Sequence, residues 1–343
     1  MGTAASRRPR VAVLFTGGTI SMTRDATAGG NVPTLDGAAL LASAPGVDDA
    51  AELVPSDLGR TPASHFSLAR LLEIGLAIRA AQSDPSISGV VVVQGTDTIE
   101  ETAFLWDLVL DRQEPVVVTG AMRAASDPDP DGPENLRNAV RAAADPALRG
   151  AGVVVALAGT IEPADTVIKR HATALDTFDS LESPPLGHVG PEGFRLDRAR
   201  APRRHVDAAT AAEPVILIRV HVGMDGALFD GARSLRPRGI VVEATGAGNT
   251  TPELLDAARR AMDDGIPVVL TTRCPAGAAV AAYAFPGGGA TWVRAGAILA
   301  GHLGGPKARI ALALGLGAGL DHVALAAMLA DPVDPAGAAP TPA

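Results

Sequence analysis

The feature that most constrains the fold is a series of short, valine-rich, wholly apolar runs. The first spans Val11 to Phe15, and similar runs recur at residues 89–93, 115–119, 152–157, 215–220, 239–243 and 267–271. Runs that stay apolar throughout, without polar alternation, are typical of parallel strands that are covered on both faces. We therefore expect each run to form a buried strand of a parallel sheet.

The segments between these runs carry helix signals. Residues 68–81 place leucine and isoleucine at three- and four-residue spacing, residues 134–144 follow a proline, and Thr251-Pro252 supplies a cap and a first-turn proline. Thr98-Ile-Glu-Glu101 has the form of a capping box at the start of another helix. Strand and helix alternate, which predicts an α/β fold with a doubly wound, mostly parallel sheet.

The length of 343 residues favours two domains. After residue 190 the apolar runs stop and arginines crowd together, which predicts a linker at residues 191–213. We expect a larger N-terminal α/β domain at residues 1–190 and a smaller C-terminal α/β domain at residues 214–330. The tail, residues 331–343, is rich in Pro and Ala and is expected to be frayed.

Composition excludes several classes of function. The chain has 38 acidic and 29 basic residues, and its net charge of −9 repels phosphate backbones and anionic membranes. No stretch has the roughly 18 uninterrupted apolar residues of a membrane span, and the first apolar run is too short for a signal-peptide core. We therefore expect no nucleic-acid partner, no membrane association and a cytoplasmic location.

Cysteine and histidine content bears on redox and metal chemistry. Cys274 is the single cysteine, and its setting between Arg273 and Pro275 favours a buried, unreactive thiol over a nucleophile. The seven histidines are scattered, without a His-Glu-x-x-His pattern. We expect neither a metal nor a cofactor.

Two polar loops follow predicted strands. Thr16-Gly-Gly-Thr-Ile20 follows the first run, and Gln94-Gly-Thr-Asp-Thr98 follows the second. Ligands of open α/β sheets bind beyond the carboxyl ends of the strands, and glycines bring backbone N–H groups close to a ligand. A glycine turn alone is more often ordinary loop geometry, and the phosphate-binding and dinucleotide-binding glycine patterns are absent.

Lys169 adds a chemical reason to consider these loops together. A threonine hydroxyl is a weak nucleophile until a base takes its proton, and an unprotonated lysine beside a carboxylate is one such base. Thr96, Asp97 and Lys169 would form this group. The chain has 27 arginines and only two lysines, which indicates that a lysine is retained where arginine, always protonated, cannot act as a base. Chance retention is the alternative.

Taken together, these motifs resemble the bacterial-type L-asparaginase family over nearly the whole chain. Two separately spaced threonine motifs and the lysine make a chance match improbable. The matching segments are Thr16-Gly-Gly-Thr-Ile20, Gln94-Gly-Thr-Asp-Thr-Ile-Glu-Glu-Thr102, Val118-Thr-Gly-Ala-Met-Arg123, Asp131-Gly-Pro133 with Asn135 and Asn138, Lys169, Pro185-Leu-Gly187, Gly246-Ala-Gly-Asn249 and Arg273-Cys-Pro-Ala-Gly277.

The resemblance implies an amidohydrolase that cleaves the side-chain amide of L-asparagine to aspartate and ammonia. Thr16 would attack the amide carbon and form an acyl-enzyme that water then hydrolyses. Thr96, Asp97 and Lys169 would form the neighbouring proton-handling group. Asp97 would also meet the ammonium of the amino-acid substrate through a charge-assisted contact.

The resemblance also implies a set of substrate contacts and an oligomer. Backbone N–H groups near the two threonines would hold the oxyanion. The segment of Asn249 would reach the active site of a neighbouring subunit in a homodimer or homotetramer, although an Asn beside glycines is equally compatible with a left-handed turn residue. The residues implied to contact the substrate are Gly17, Ser64, Gly95, Ala121 and Asn249.

Three departures from the family leave the substrate open. The only tyrosine is Tyr283, so the loop at residues 21–35 has no phenol to place beside the nucleophile. The stretch implied to grip the substrate carboxylate reads Pro62-Ala-Ser-His-Phe66, with alanine where serine is common and His65 either an added contact or a solvated loop residue. The acidic residue that some secreted members use is absent after Gly277. Glutamine, a D-amino acid, a peptide-derived amide or a specialised-metabolite amide are alternative substrates, and a non-catalytic amino-acid sensor is the alternative of another class.

Overall fold

The computed structural model describes residues 8–332, and the chain divides into two compact units. The first unit ends at Arg200 and the second begins at Ala201. Each unit has its own sheet and its own hydrophobic core. No helix within the described residues is long and apolar enough to cross a membrane.

The elements of the first unit alternate between strand and helix. The strands are β1 (Arg10–Phe15), β2 (Met22–Asp25), β3 (Gly30–Pro33), β4 (Glu52–Asp57), β5 (Ile87–Val93), β6 (Val116–Thr119), β7 (Val153–Leu157), β8 (Thr160–Pro163), β9 (Ile168–Lys169), β10 (Phe178–Asp179), β11 (Gly187–Gly190) and β12 (Gly193–Leu196). The α-helices are α1 (Gly37–Ala42), α2 (Leu68–Gln82), α3 (Ile99–Val109) and α4 (Gly132–Ala144). Single 3₁₀ turns lie at Thr19–Ser21, Ala63–His65, Thr96–Thr98 and Pro146–Leu148.

One eight-stranded sheet organises this unit, in the order β12-β11-β8-β7-β6-β5-β1-β4. The five strands from β7 to β4 pair in parallel, and β8, β11 and β12 are antiparallel to their neighbours. The valines of β5, Val90–Val93, are 0% exposed, as expected for a strand with both faces covered. The predicted α/β fold with a mostly parallel sheet is confirmed.

Helices pack on the sheet through apolar faces. Leu136 and Val140 of α4 lie in one core cluster with Val11, Val13 and Phe15 of β1. Helices α2 and α3 are joined by Trp106, which is fully buried and donates its indole N–H to the carbonyl oxygen of residue 71 at 2.8 Å. Burial of such large side chains contributes most of the stability of a core like this one.

The second unit contains a four-stranded parallel sheet in the order β13-β14-β15-β16, where β13 is Val215–Arg219, β14 is Gly239–Ala244, β15 is Val268–Thr272 and β16 is Ile298–Leu299. Its helices are α5 (Ala227–Ser234), α6 (Pro252–Asp263), α7 (Gly289–Ala295), α8 (Gly305–Gly317) and α9 (His322–Leu329). The predicted cap of α6 forms, because the Thr251 hydroxyl accepts the N–H of Leu254 at 3.3 Å.

The strands that the sequence does not predict are short or polar. β2 and β3 form an antiparallel hairpin inside the loop at residues 21–35. β12 lies within the predicted linker, residues 191–213, yet pairs with β11 in the large sheet. Short edge strands carry no wholly apolar run, so their composition does not separate them from loops.

One further expectation is wrong. Cys274 is exposed, because it follows β15 on a turn, where the N–H of Cys274 donates to the Thr272 hydroxyl at 3.0 Å. At the start of the predicted tail, Asp331 accepts the backbone N–H of His302 at 3.0 Å and a guanidinium N–H of Arg204 at 2.8 Å. Residues 333–343 lie outside the described residues.

Arg200, the last residue of the first unit, is the centre of a buried ion-pair cluster. The Arg200 guanidinium donates to both carboxylate oxygens of Asp107, at 3.0 and 2.7 Å, and to Asp165 at 2.9 Å. The Arg200 and Asp107 side chains are 6% and 3% exposed. Burial lowers the pKa of Arg200, but the two carboxylates more than offset this and the pKa is raised. Arg200 therefore stays charged and holds the chain against α3.

We expect Arg200→Met to lower the free energy of unfolding of this unit by about 3 to 5 kcal/mol, because removing one partner of a buried ion pair leaves the charge of the buried Asp107 carboxylate less compensated. Urea unfolding followed by Trp106 fluorescence in a Trp292→Phe background measures this unit alone. Arg195→Met is the control, since Arg195 is 73% exposed and its pair with Asp197 lies in solvent. Equal unfolding midpoints for the two variants would contradict the prediction.

Candidate active site

The first threonine loop leaves β1 beside the end of β5. The N–H of Thr16 donates to the carbonyl oxygen of Val93 at 3.0 Å, which continues the parallel ladder between the two strands. The Thr16 hydroxyl also donates to this carbonyl oxygen at 3.0 Å, and the residue is 2% exposed. Both threonine loops therefore start at the same edge of the sheet.

Two glycines let the first loop approach its neighbours. A Cβ on Gly18 would lie 2.1 Å from the backbone nitrogen of Gly95, and one on Gly17 would lie 2.9 Å from the backbone of Arg60 and Thr61. Both glycines have positive φ, 108° for Gly17 and 102° for Gly18. A side chain at either position would separate the loops, so glycine is required by both space and conformation.

The structure brings three predicted residues into one hydrogen-bonded group. Lys169 Nζ lies 3.0 Å from Thr96 Oγ1 and 3.2 Å from Asp97 Oδ1. Thr96 is 4% exposed and the Lys169 side chain is 14% exposed, whereas the Asp97 side chain is 68% exposed. The amine and the threonine hydroxyl are thus shielded from water, while the carboxylate faces solvent and is accessible to a ligand.

Lys169 is carried by a short hairpin, residues 166–180, which we call the lysine hairpin. At its base, the Ser180 hydroxyl donates to the buried carboxylate of Glu162 on β8 at 2.6 Å, and the Thr166 hydroxyl bonds the Ser180 oxygen at 3.0 Å. Burial raises the pKa of Glu162, and the Ser180 hydrogen bond acts in the opposite direction. Sequence patterns gave no signal for this support, since it joins separate elements.

The other predicted contact residues lie at different places. The 3₁₀ turn of Ala63–His65, which includes the exposed Ser64, packs on the second threonine loop, with the Ala63 Cβ about 3.0 Å from where a Cβ of Gly95 would stand. Ala121 is fully buried in the loop that follows β6. Asn249 belongs to the second unit, where its carbonyl oxygen accepts the N–H of Thr245 at 3.0 Å.

The capping box predicted at Thr98 does not form. The Thr98 side chain makes no bond to its own helix and instead donates to the carbonyl oxygen of Ala63 at 3.3 Å. The hydroxyl thereby ties the second threonine loop to the turn that carries Ser64. Helix α3 begins at Ile99, so the predicted helix is present without the predicted cap.

Asp131 and Asn135 belong to the motifs that resemble the family, although the resemblance implied no role for them. Both bond to the loop that follows β6. The Asp131 carboxylate accepts the N–H groups of Met122 and Arg123 at 3.0 and 2.9 Å. The Asn135 amide donates to the carbonyl oxygen of Gly120 at 3.1 Å and accepts the N–H of Ala158 at 3.2 Å. The half-buried Asp131 and the buried Asn135 thus satisfy backbone groups that follow β6 and β7, which is the usual requirement for ordered loops.

No group of three or more His, Cys, Asp or Glu side chains with metal-binding geometry occurs among residues 8–332. The chemistry available at this edge of the sheet is that of hydroxyls, a carboxylate, an amine and backbone N–H groups. That set can deliver a nucleophile, move a proton and stabilise an anion, which are the needs of acyl transfer.

Family models cover both units of the chain. The model described as Asparaginase, N-terminal matches residues 10–201, and the Glutaminase/Asparaginase C-terminal domain matches residues 214–329. The chain belongs to the asparaginase family. The family resemblance expected from the two threonine motifs and Lys169 is confirmed, and the chain is an amidohydrolase.

Individual proteins agree with this assignment. A probable L-asparaginase of Deinococcus radiodurans is 38% identical over 92% of this chain and 96% of its own length. An L-asparaginase of Bacillus licheniformis is 30% identical over 89% of this chain and 94% of its own length. The crystal structure of a probable cytoplasmic L-asparaginase from Campylobacter jejuni superimposes with a TM-score of 0.84 at 27% identity, covering 94% of this chain and 99% of that one.

We expect Gly18→Ala to reduce both stability and turnover, because the added Cβ would meet the Gly95 backbone in a strained conformation. The cost is about 2 kcal/mol or more, from overpacking and from the positive φ together. Gly29→Ala is the matched control: its φ is also positive, at 71°, but open space surrounds its Cβ position. Thermal unfolding and ammonia release would be compared. Loss of activity in both variants alike would argue against a special contact at Gly18.

We expect Glu162 to make the first unit less stable as pH rises. Because its folded-state pKa is raised above the ordinary value of 4.5, its contribution is fully present below that value and is lost as pH rises through the folded pKa. Glu162→Gln should remove this slope while leaving an acceptor for Ser180. Urea midpoints between about pH 4 and pH 7, read from Trp106 fluorescence, measure it. Glu73→Gln, on an exposed carboxylate, is the control, and an unchanged slope in Glu162→Gln would refute the assignment.

Proposed function

We propose that this chain hydrolyses the side-chain amide of L-asparagine to aspartate and ammonia through an acyl-enzyme on Thr16. The observation that carries the proposal is the bonding of Lys169 to Thr96 and Asp97 at the sheet edge where Thr16 also lies. Membership of the asparaginase family and the names of the relatives support asparagine as the substrate.

In the first half of the reaction, Thr16 Oγ1 bonds to the amide carbon and the carbonyl electrons move to the oxygen. Backbone N–H groups of the glycine-containing loops hold this oxyanion, since they need no rearrangement as charge develops. The tetrahedral species collapses and the C–N bond breaks. The departing nitrogen takes the proton that the Thr16 hydroxyl gave up, so ammonia leaves and an ester remains.

In the second half, water attacks the ester carbonyl carbon and gives one proton to restore the Thr16 hydroxyl, which releases aspartate. Thr96 and Lys169 form the proton-handling group in both halves, since the Lys169 amine bonds the Thr96 hydroxyl at 3.0 Å. The Thr16 hydroxyl donates to the Val93 carbonyl oxygen at rest, so activation requires it to turn from that oxygen. The exposed Asp97 carboxylate meets the substrate α-ammonium.

Substrate grip and assembly are further parts of the proposal. We assign Gly17, Ser64, Gly95 and Ala121 to substrate binding, with residues 1–190 as the catalytic domain. We also propose a homodimer or homotetramer in which Asn249 serves a neighbouring site; its side-chain oxygen is buried without a hydrogen-bond partner within residues 8–332. A cytoplasmic location is proposed on the name of the Campylobacter jejuni relative.

We expect Thr16→Val to lower kcat for asparagine by about 1,000-fold or more, as removal of a covalent nucleophile does. Thr16→Ser should keep part of the activity, because it retains the hydroxyl. Ammonia release by the purified protein is the measurement. Thr160→Val is the control. Among the described residues, the Thr160 hydroxyl donates only to the carbonyl oxygen of Leu157, within its own turn.

The same assay separates the alternative substrates. Asparagine, glutamine, their D-isomers and a peptide amide are compared by kcat/KM. A clear preference for asparagine supports the proposal. A higher kcat/KM for another amide would show that this amide is the substrate, and would not change the assignment of Thr16 as the nucleophile. If Thr16→Val protein turned over asparagine at the rate of the parent protein, Thr16 could not be the nucleophile.

A further inference from the structure

The lysine hairpin has a short ladder, although bonds between Arg170 and Asp176 and between His171 and Thr177 hold its tip together. Its two strands pair over only two residue pairs, Lys169 with Phe178 and Ile168 with Asp179. A hairpin this short is marginally stable in isolation. The position of the amine therefore depends on contacts that reach the hairpin from other elements.

One such contact is made to the main chain of the lysine itself. The Glu100 carboxylate accepts the backbone N–H of Lys169 at 2.7 Å, across 69 residues of sequence. Glu100 stands in the first turn of α3, three residues after Asp97. One continuous segment, residues 96–100, thus contacts both ends of the lysine: its amine through Thr96 and Asp97, and its backbone through Glu100.

We propose that Glu100 is a positioning residue, whose reach to the Lys169 N–H sets where the lysine amine lies relative to Thr96. This inference rests on the proton-handling role proposed for Lys169. The contact needs an acceptor oxygen at the reach of a glutamate side chain, because its donor is the backbone N–H of Lys169. Glu100 makes no described contact with the groups proposed to react, so its effect is exerted through the lysine.

A purely structural explanation exists and makes different predictions. A carboxylate in the first turn of a helix stabilises the helix by its charge, whatever it bonds. Two substitutions separate charge from reach. Glu100→Gln loses the charge but keeps an amide oxygen at the same distance, whereas Glu100→Asp keeps the charge but is one methylene too short. Glu253→Ala, at an exposed first-turn carboxylate of α6, controls for loss of such a charge elsewhere.

The kinetic test compares kcat and KM for asparagine among these variants. We expect Glu100→Asp to lower kcat by about 100-fold with little change in KM, since a displacement of about 1 Å at a reacting group costs that much. Glu100→Gln and Glu253→Ala should stay close to the parent protein. Parent-like kcat in Glu100→Asp, loss in Glu100→Gln alone, or equal losses in both would each overturn the proposal.

A second readout is independent of turnover. The chain has two lysines, Lys169 and Lys307, so protein labelled with ¹³C at the lysine ε-carbon gives two assignable NMR signals. Lys169→Met identifies the signal of Lys169 by its loss. We expect this signal to move toward that of a free lysine in Glu100→Asp and to stay in place in Glu100→Gln and Glu253→Ala. An unmoved signal in folded Glu100→Asp protein would overturn the proposal.

The two readouts also separate this inference from the proposed function. Absence of turnover in the parent protein with any amide would end the proposed function, while the lysine signals would still test the contact. Circular dichroism establishes that each variant is folded. If Glu100→Asp does not fold, Glu100→Gln decides the matter, because a shifted lysine signal or a large loss of kcat in that variant contradicts positioning by reach.

Discussion

The candidate site depends on the parallel pairing of β1 with β5, in which Phe15 lies opposite Val93. Parallel strands present their carboxyl ends at one edge of a sheet, so the two loops that follow these strands must leave side by side. Both strands are buried on both faces, so hydrophobic burial stabilises the pair. The threonine loops are therefore neighbours because the two strands pair, and not because of side-chain contacts between the loops.

Polar contacts then shape what burial has brought together. Gly18 and Gly95 have no Cβ, which allows the two threonine loops to touch. The Thr98 hydroxyl donates to the carbonyl oxygen of Ala63 and so bonds the turn that carries Ser64 to the second loop. Asp131 and Asn135 satisfy the backbone of the next loop. Each of these side chains takes the place of water at a peptide group, which orders the loops at this edge of the sheet.

The lysine reaches the same edge by a different route. It lies on a short hairpin that is held by carboxylates from two separate elements, Glu100 on α3 and Glu162 on β8. A buried carboxylate is costly unless it is bonded, and Glu162 is bonded to Ser180 at the base of the hairpin. Some of the acidic residues of this net-negative chain therefore make structural contacts within the first unit.

The sequence by itself determined the strands β1, β5, β6, β7, β13, β14 and β15. Each contains an apolar run, and such a run predicts a buried strand without knowledge of the strands beside it. It also determined the family, through two threonine motifs and one lysine at separate positions. Only the tertiary structure decided that Thr96 and Lys169, 73 residues apart, lie within 3.0 Å, that Glu100 holds the lysine backbone, that β12 belongs to the sheet and that Cys274 is exposed. The physical reason is that periodicity and propensity act over a few neighbouring residues, whereas these contacts depend on the path of the folded chain.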